Sequence, residues 1–464
     1  MRFVDLFAGL GGFHRALESL GHECVFASEI DPALREIYGR NFPKAASAIH
    51  GDIRDTKVLI PSHDILCAGF PCQPFSKSGM QNGRRDRTRG TLFHEILDVL
   101  RVHRPPFVIL ENVGNFERHN RGRTWKVVKE SLVGLGYHVV GTTHVTTGGH
   151  GLSSPHHLGH PHTRERFFIV ATRNPLSTDP FPPRARPTTT LATITQSQSD
   201  VSQRDRDETR LTRQQIACID HWNELLSLVP CDIPLPSFPI WGEELDATYP
   251  FEAESPSSLS RRKLLRHVRL RDDAAVRLTK AELLCLLPSY ARSPVFPPWK
   301  KAFIRQNRAW FESIRPYLTE EWIKRLATFP PSLRKFEWNC KGEERDLWKL
   351  VLQFRPSGLR VKRYCSSPAL VAMTTTQTPI LGPARRFLTR TEGLRLQGFP
   401  DSHDLPLSRD RAFAALGNAV HVDLVRYIAD RVLATQPAPS TRIRVVCPTD
   451  GSHPVLQLHA SGIQ

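Results

Sequence analysis

Between residues 3 and 172 the sequence switches repeatedly between two hydrophobic patterns, and that switching leaves few folds open. Short, nearly continuous apolar runs stand at 3–7 (FVDLF), 24–29 (CVFASE), 63–70 (HDILCAGF), 106–112 (PFVILEN) and 166–172 (RFFIVAT). Between them, apolar residues recur at helical spacing over 13–21, 32–42, 91–103 and 124–136, with Gly21 and Gly136 placed as C-terminal stops. Strands alternating with helices predict a mostly parallel, doubly wound α/β sheet covered on both faces.

The texture then changes. NPLSTDPFPPRARP (174–187) holds five prolines and reads as a linker. A helix is predicted at 210–229, followed by an acidic patch at 243–254 and a basic run, RRKLLRHVRLR (261–271), with six Lys/Arg and no acid. Near the end, TRTEGLRLQGFP (389–400) precedes RAFAALGNAVHVDLVRYIADRVL (411–433), which reads as a glycine-containing turn leading into a helix. TQPAPST (435–441) reads as a loose connection to a short tail, and no internal repeat is present.

Lys and Arg exceed Asp and Glu by 63 to 46, a net charge of +17, which favours a polyanionic partner and nucleic acid first. No apolar run is long enough to span a membrane, and MRFVDLFAGLGG leaves no room for a secretory leader, so the expected location is cytoplasmic. The nine cysteines are odd in number and form no CxxC pair, which argues against a disulfide framework or a structural zinc site. Most are expected to be small buried hydrophobes.

Several short stretches carry chemistry. DLFAGLGG (5–12) makes a strand, a glycine-rich turn and a helix start, where glycines let a ligand approach the backbone. Glu29 ends the second predicted strand, 20 residues after Gly9, about where an acidic residue takes ribose hydroxyls. Asp52 would end a third strand near an adenine. The GxGG spacing is not GxGxxG, so an adenosine cofactor without a pyrophosphate fits better than a dinucleotide.

In GFPCQPFS (69–76), Cys72 follows one proline and precedes another by two residues. Pro71 and Pro74 fix their own φ and push Phe70 and Gln73 toward extended geometry, so the sulfur sits in a stiff turn suited to attack. The arginines of NGRRDRTRG (82–90) would favour the thiolate. Glu111, in ENV (111–113), stands at the carboxyl edge of the sheet and suits a ring nitrogen or an exocyclic amine. Arg164 and Arg166 alternate as a strand begins, so both would point to one side. Five of the 20 histidines fall within 148–162, yet glycines and prolines fix no ligand geometry there and no acid joins them. A flexible polar loop, and no metal site, is expected.

Together and in this order these stretches resemble the DNA (cytosine-5) methyltransferases of bacterial restriction–modification systems. DLFAGLGGF resembles that family's motif for S-adenosylmethionine, GFPCQPFS its catalytic Pro-Cys motif, ENV its glutamate motif and TRERFFIV its arginine pair. RTEGLRLQGFPDS (390–402) is similar to the motif supporting the recognition domain, and GNAV (417–420) to the last, cofactor-facing motif. The resemblance covers roughly residues 1–172 and 385–433. His162 departs from the family's glutamine, and the variable region is long, about 200 residues.

The resemblance implies a Rossmann-like catalytic domain at 1–180 and 411–434, a smaller, irregular target-recognition domain at 185–385, a supporting hinge at 386–410 and a tail at 435–464. It implies a catalytic set of Cys72, Glu111, Arg164 and Arg166. It places S-adenosylmethionine among Asp5, Phe7, Gly9, Gly11, Glu29, Ile30, Asp52, Ile53, Pro71, Leu92, Asn418 and Val420. Phe7 would stack near the adenine, Asp52 and Ile53 would flank it, and residues 73–91 would form a loop closing on DNA. Implied partners are double-stranded DNA and a cognate restriction endonuclease, with the chain a monomer. Rival readings are a tRNA methyltransferase, which in this family carries a short variable region, a silent DNA-binding protein that keeps the fold, and a nucleotide-dependent oxidoreductase, which leaves Cys72 unexplained.

Overall fold

The structure is a computed structural model that describes residues 1–70, 92–141, 151–186, 188–268, 278–372 and 377–434, with the strands at 444–446 and 455–457. Pro71, Cys72 and the loop 73–91 lie outside the described residues. The N-terminal body runs β1 (Arg2–Leu6), α1 (Gly12–Ser19), β2 (Glu23–Ser28), α2 (Pro32–Asn41), β3 (Ile49–His50), α3 (Ile53–Thr56), β4 (Ile65–Gly69) and α4 (Leu92–His103). It continues with β5 (Phe107–Val113), α5 (Arg123–Gly134), β6 (His138–Val140), β7 (Leu152–Ser153), β8 (His162–Thr163) and β9 (Arg166–Thr172).

The main sheet has the order β3-β2-β1-β4-β5-β9-β6, with β7 added to β9. Strands β1 to β5 pair in parallel, and β9 runs antiparallel to β5. This is the doubly wound α/β sheet predicted from the alternation. Its strands are mostly apolar because successive side chains enter different cores. Phe3, Ile65, Cys67, Ile109 and Phe168 join one core with α1 and the chain's last long helix. Val4, Leu66, Val108, Leu110 and Phe167 join the other with α4 and α5. Burying a Leu, Val, Ile or Phe contributes about 1.5–3 kcal/mol.

A second body follows: α6 (Gln203–Thr209), α7 (Arg213–Leu228), β10 (Ile240–Trp241), α8 (Arg261–Leu264), α9 (Lys280–Cys285), α10 (Pro298–Ile314), α11 (Glu320–Thr328), β11 (Lys335–Trp338), β12 (Val351–Arg355), β13 (Gly358–Lys362), β14 (Ser367–Pro368), β15 (Ile380–Leu381) and β16 (Arg386–Phe387). Its sheet has the order β10-β11-β13-β12-β15-β16. Trp222 and Trp322 fill its core, with Trp222 stacked 5.0 Å from Phe336. Residues 241–304 contain a separate small core built on Tyr249, Leu283 and Ile304. The chain then returns through α12 (Arg390–Leu396), α13 (Arg409–Asn418) and α14 (Val422–Ala434), and ends in the hairpin β17 (Arg444–Val446) and β18 (Val455–Gln457).

Four expectations change. Residues 411–418 are helical, and the turn expected there is confined to 419–421 between α13 and α14. The proline-rich stretch is no free linker, because Phe181 is buried in the first core. The described part of the histidine-rich stretch is ordered: Ser154 caps a 3-10 turn over Pro155–Leu158, and β8 pairs with β14. Of the seven described cysteines only Cys67, Cys218 and Cys340 are buried, while Cys231 and Cys285 are exposed. Among the described residues no helix is long and apolar enough to cross a membrane.

Candidate active site

Three adjacent parallel strands stop level with one another. Leu6 pairs with Ser28, and Ser28 with His50. Phe7, Glu29 and Asp52 therefore leave the same sheet edge side by side. Phe7 holds φ 59°, a left-handed backbone rare for an aromatic residue, and turns the chain into the glycines. Gly9 donates its amide to Glu29 Oε2 at 2.9 Å, and Asp31 donates to Oε1 at 2.9 Å. The Glu29 carboxylate is thus fixed across the turn, 20 residues from Gly9. A side chain at Gly11 would strike the Phe42 ring at 2.3 Å, so only glycine fits. Ile30 is 65% exposed, Ile53 is buried, and Asp52 caps α3 and pairs with Arg54.

Next along the edge, β4 ends at Gly69, which pairs with Glu111 on β5. A side chain at Gly69 would meet Glu111 Oε2 at 3.6 Å and Val420 at 3.8 Å. Glu111 is 7% exposed, and Arg166, two residues along the antiparallel neighbour, places Nε 2.9 Å from Glu111 Oε1. Burial pushes the Glu111 carboxyl up, and Arg166 and Arg164 pull it back in part. Asn112 turns its amide to the carbonyl of Phe70 at 2.8 Å, so β5 anchors the residue that precedes Pro71. Leu92, half-buried, opens α4 beyond the 71–91 segment.

The two arginines separate in function. Both lie close enough to Glu111 to lower its pKa, but only Arg166 pairs with it. Arg164 is 1% exposed, and its guanidinium donates to the carbonyls of Leu370 (3.2 Å), Gly417 (2.7 Å) and Ala419 (2.9 Å). Gln397 donates to Leu416 and, at 3.3 Å, to Ala419. Carbonyls at the C-terminus of α13 lack intrahelical donors, and a cation there also meets the negative end of the helix. Arg164, expected in the catalytic set beside Arg166, instead spends its guanidinium on backbone oxygens in this clamp. The clamp fixes the end of α13 and the start of the turn after it, leaving Asn418 exposed and pressing Val420 onto Gly12, where an added Cβ would lie 2.6 Å from Val420 Cγ2. His162 is buried, its Nδ1 2.8 Å from the carbonyl of Leu396.

Sequence reasoning passed over Asn112 and Gln397. Asn112 sits inside the quoted ENV stretch and Gln397 inside RLQGFP, but their partners, 42 and 22 residues away, leave no local signal. Burial lifts the thiols of Cys24, Cys218 and Cys340 to about 12 and pushes that of Cys67 well up, so these four stay protonated at neutral pH.

Asp5 is fully buried in β1, and among the described residues neither carboxyl oxygen has a close hydrogen-bond partner. Burial, reinforced by the charge of Glu29 and only partly offset by the His14 amide, raises it from 3.8 to about 8. A raised folded-state value favours folding below the unfolded pKa, and the contribution is lost as pH climbs from about 4 through about 8. Asp5→Asn is accordingly expected to flatten the fall in melting temperature over that window and to be the more stable protein above pH 8. Parallel melting curves for the two proteins would contradict this.

The model of the family described as C-5 cytosine-specific DNA methylase matches residues 1–230 and 302–434. The chain is 34% identical over 492 aligned positions to the Type II methyltransferase M.AluI of Cellulosimicrobium cellulans, covering 92% of this chain and 90% of that protein. It is 44% identical to the Type II methyltransferase M.HhaI of Haemophilus parahaemolyticus over 39% of this chain and 52% of that one. With M.MspI of a Moraxella species it shares 42% identity over 37% of this chain and 39% of the relative.

Proposed function

The chain belongs to the C-5 cytosine-specific DNA methylase family and is a DNA (cytosine-5) methyltransferase of the restriction–modification kind, and we propose that it acts through a covalent adduct between Cys72 and a cytosine flipped out of the duplex. The observation that carries this reading is the buried Glu111–Arg166 pair beside Gly69 and Phe70. Consecutive Cα atoms are about 3.8 Å apart, so Cys72 lies within about 8 Å of the anchored Phe70 by connectivity alone.

The target base is inaccessible in a duplex, and extruding it costs a few kcal/mol. The Cys72 thiolate forms a bond to C6 of the ring, and the displaced electron pair makes C5 nucleophilic. Glu111 holds N3 and the exocyclic amine, and its burial-raised carboxyl carries a proton to N3 as charge develops there. Arg166 orients that carboxyl and contacts the base; Arg164 acts indirectly, by holding the end of α13 and the start of the turn after it. Loss of the C5 proton and cleavage of the C6–sulfur bond release Cys72 and 5-methylcytosine.

S-adenosylmethionine, when bound, supplies an electrophilic methyl group. The residues fit it: Glu29 keeps lone pairs free for ribose hydroxyls, and among the described residues no atom lies within 4 Å of a side chain added at Gly9 and none bonds closely to the buried Asp5 carboxyl. Phe7, Ile30, Asp52 and Ile53 would border the adenine. Gly11, Pro71, Leu92, Asn418 and Val420 would complete the pocket. Residues 1–180 and 411–434 would form the catalytic domain, 185–385 would read bases, 386–410 would serve as hinge and 435–464 as tail. The protein would act as a cytoplasmic monomer alongside an endonuclease for the same site.

Purified protein, mixed-sequence duplex DNA and methyl-labelled S-adenosylmethionine test the reading. Label is expected in 5-methylcytosine of DNA. Label confined to tRNA, or in a different base, would overturn it.

A further inference from the structure

The ordered histidine-rich stretch meets an acidic residue from the far end of the chain. His160 Nε2 lies 3.3 Å from Asp423 Oδ2, and the His160 and His421 rings stand 4.7 Å apart. One donor atom from each of His160, His421 and Asp423 falls within 4.8 Å of the others. We propose that these three side chains form a site for a late first-row divalent cation, zinc(II) foremost.

Four observations support it. Two imidazoles and one carboxylate are a donor set that zinc accepts, with water completing a tetrahedron. Bonds of about 2.0–2.1 Å in a tetrahedron place donors about 3.4 Å apart, close to the His160–Asp423 separation and longer than a good N–H···O hydrogen bond. His421 is 2% exposed, its Nδ1 accepts from the Leu424 amide at 3.4 Å, and its Nε2 has no hydrogen-bond partner among the described residues, a costly state unless a cation displaces the proton there. Gly398 borders the cluster at φ 75°: a side chain there would come within 3.0 Å of Asp423 Oδ2 and 3.2 Å of His421 Cε1, so the glycine keeps the cleft open.

The surroundings prepare the donors. Arg426 donates to Asp423 Oδ1 at 2.7 Å, orienting the carboxylate so that Oδ2 faces His160. Arg426 and Arg164 oppose added positive charge, which moderates affinity. An ion here would fasten the start of α14 and the turn before it to the loop leading into Arg164 and Arg166.

The test needs no turnover. Metal-free full-length protein is dialysed against zinc(II), its retained metal measured, and its melting followed with and without zinc. The proposal expects one retained ion per chain and a raised melting temperature. It expects at least about tenfold weaker binding in His160→Ala, whose side chain is part-exposed and tolerant of truncation, and in Asp423→Asn. Far-UV circular dichroism shows whether each variant is folded, and His160→Ala decides if Asp423→Asn is not. No retained zinc, or retention equal to wild type in folded His160→Ala, overturns the site, the latter placing the ion elsewhere, such as on thiols.

Discussion

Cys72→Ala is expected to bring methyl transfer down to background, at least about 10⁴-fold below wild type, the scale on which removing a covalent nucleophile acts. Without a bond at C6, C5 of cytosine has no electron pair to offer, and no neighbouring described thiol can substitute: Cys67, the closest in sequence, is buried in β4 and its thiol is pushed well up. DNA binding should persist, because it rests on phosphate contacts from a chain of net charge +17. Duplex DNA carrying 5-fluorocytosine gives an independent readout. Its C5 has no proton to lose, so wild type should remain bonded to it under denaturing electrophoresis and the variant should not. Activity within tenfold of wild type in the alanine variant would refute the covalent role.

Glu111→Gln is expected to lower kcat by about 10²–10⁴-fold, the range supplied by a positioned general acid. The amide is nearly isosteric, so folding and DNA affinity should change little, but it delivers no proton to N3 and leaves Arg166 without its anion. The pH profile separates a chemical role from a merely structural one. Burial raises the Glu111 pKa and the two arginines offset only part of the shift. The proton-bearing form therefore persists above the usual carboxylate range and is lost as pH rises through the raised value. Wild-type kcat should carry that descending limb on its alkaline side, and the variant's should lack it. A variant that keeps both rate and limb would remove Glu111 from the chemistry.

The catalytic sheet was legible because its signals are local. The run RFFIVAT is β9, Arg166–Thr172, at both ends, and the sheet-edge positions of Glu29 and Glu111 follow once the strands are counted. The second body was not legible beyond α7. Strands β10, β14, β15 and β16 have two residues each, too few to display a period of two. The roles of Arg164 and Asp423 were hidden for a different reason. Arg164 reaches carbonyls 206 to 255 residues away, and Asp423 meets His160 across a comparable stretch of chain. Such partners are matched by the fold, not by any pattern within a window. The absence of an acid from 148–162 argued against a metal there, and the fold supplies the acid from α14.

One face of the catalytic sheet is covered by α14, whose Leu424, Val425 and Ile428 lie in the same core as Phe3, Ile65 and Ile109. Translation delivers these two groups more than 310 residues apart. At ribosomal rates of about 5–20 residues per second, the first five strands wait tens of seconds with that face covered by α1 but not yet by α14. The second body, emerging in the interval, has a core of its own. The enzyme thus completes its oldest-made part last, and a nascent chain halted anywhere before residue 422 would present the ribosome's chaperones with a sheet only partly covered.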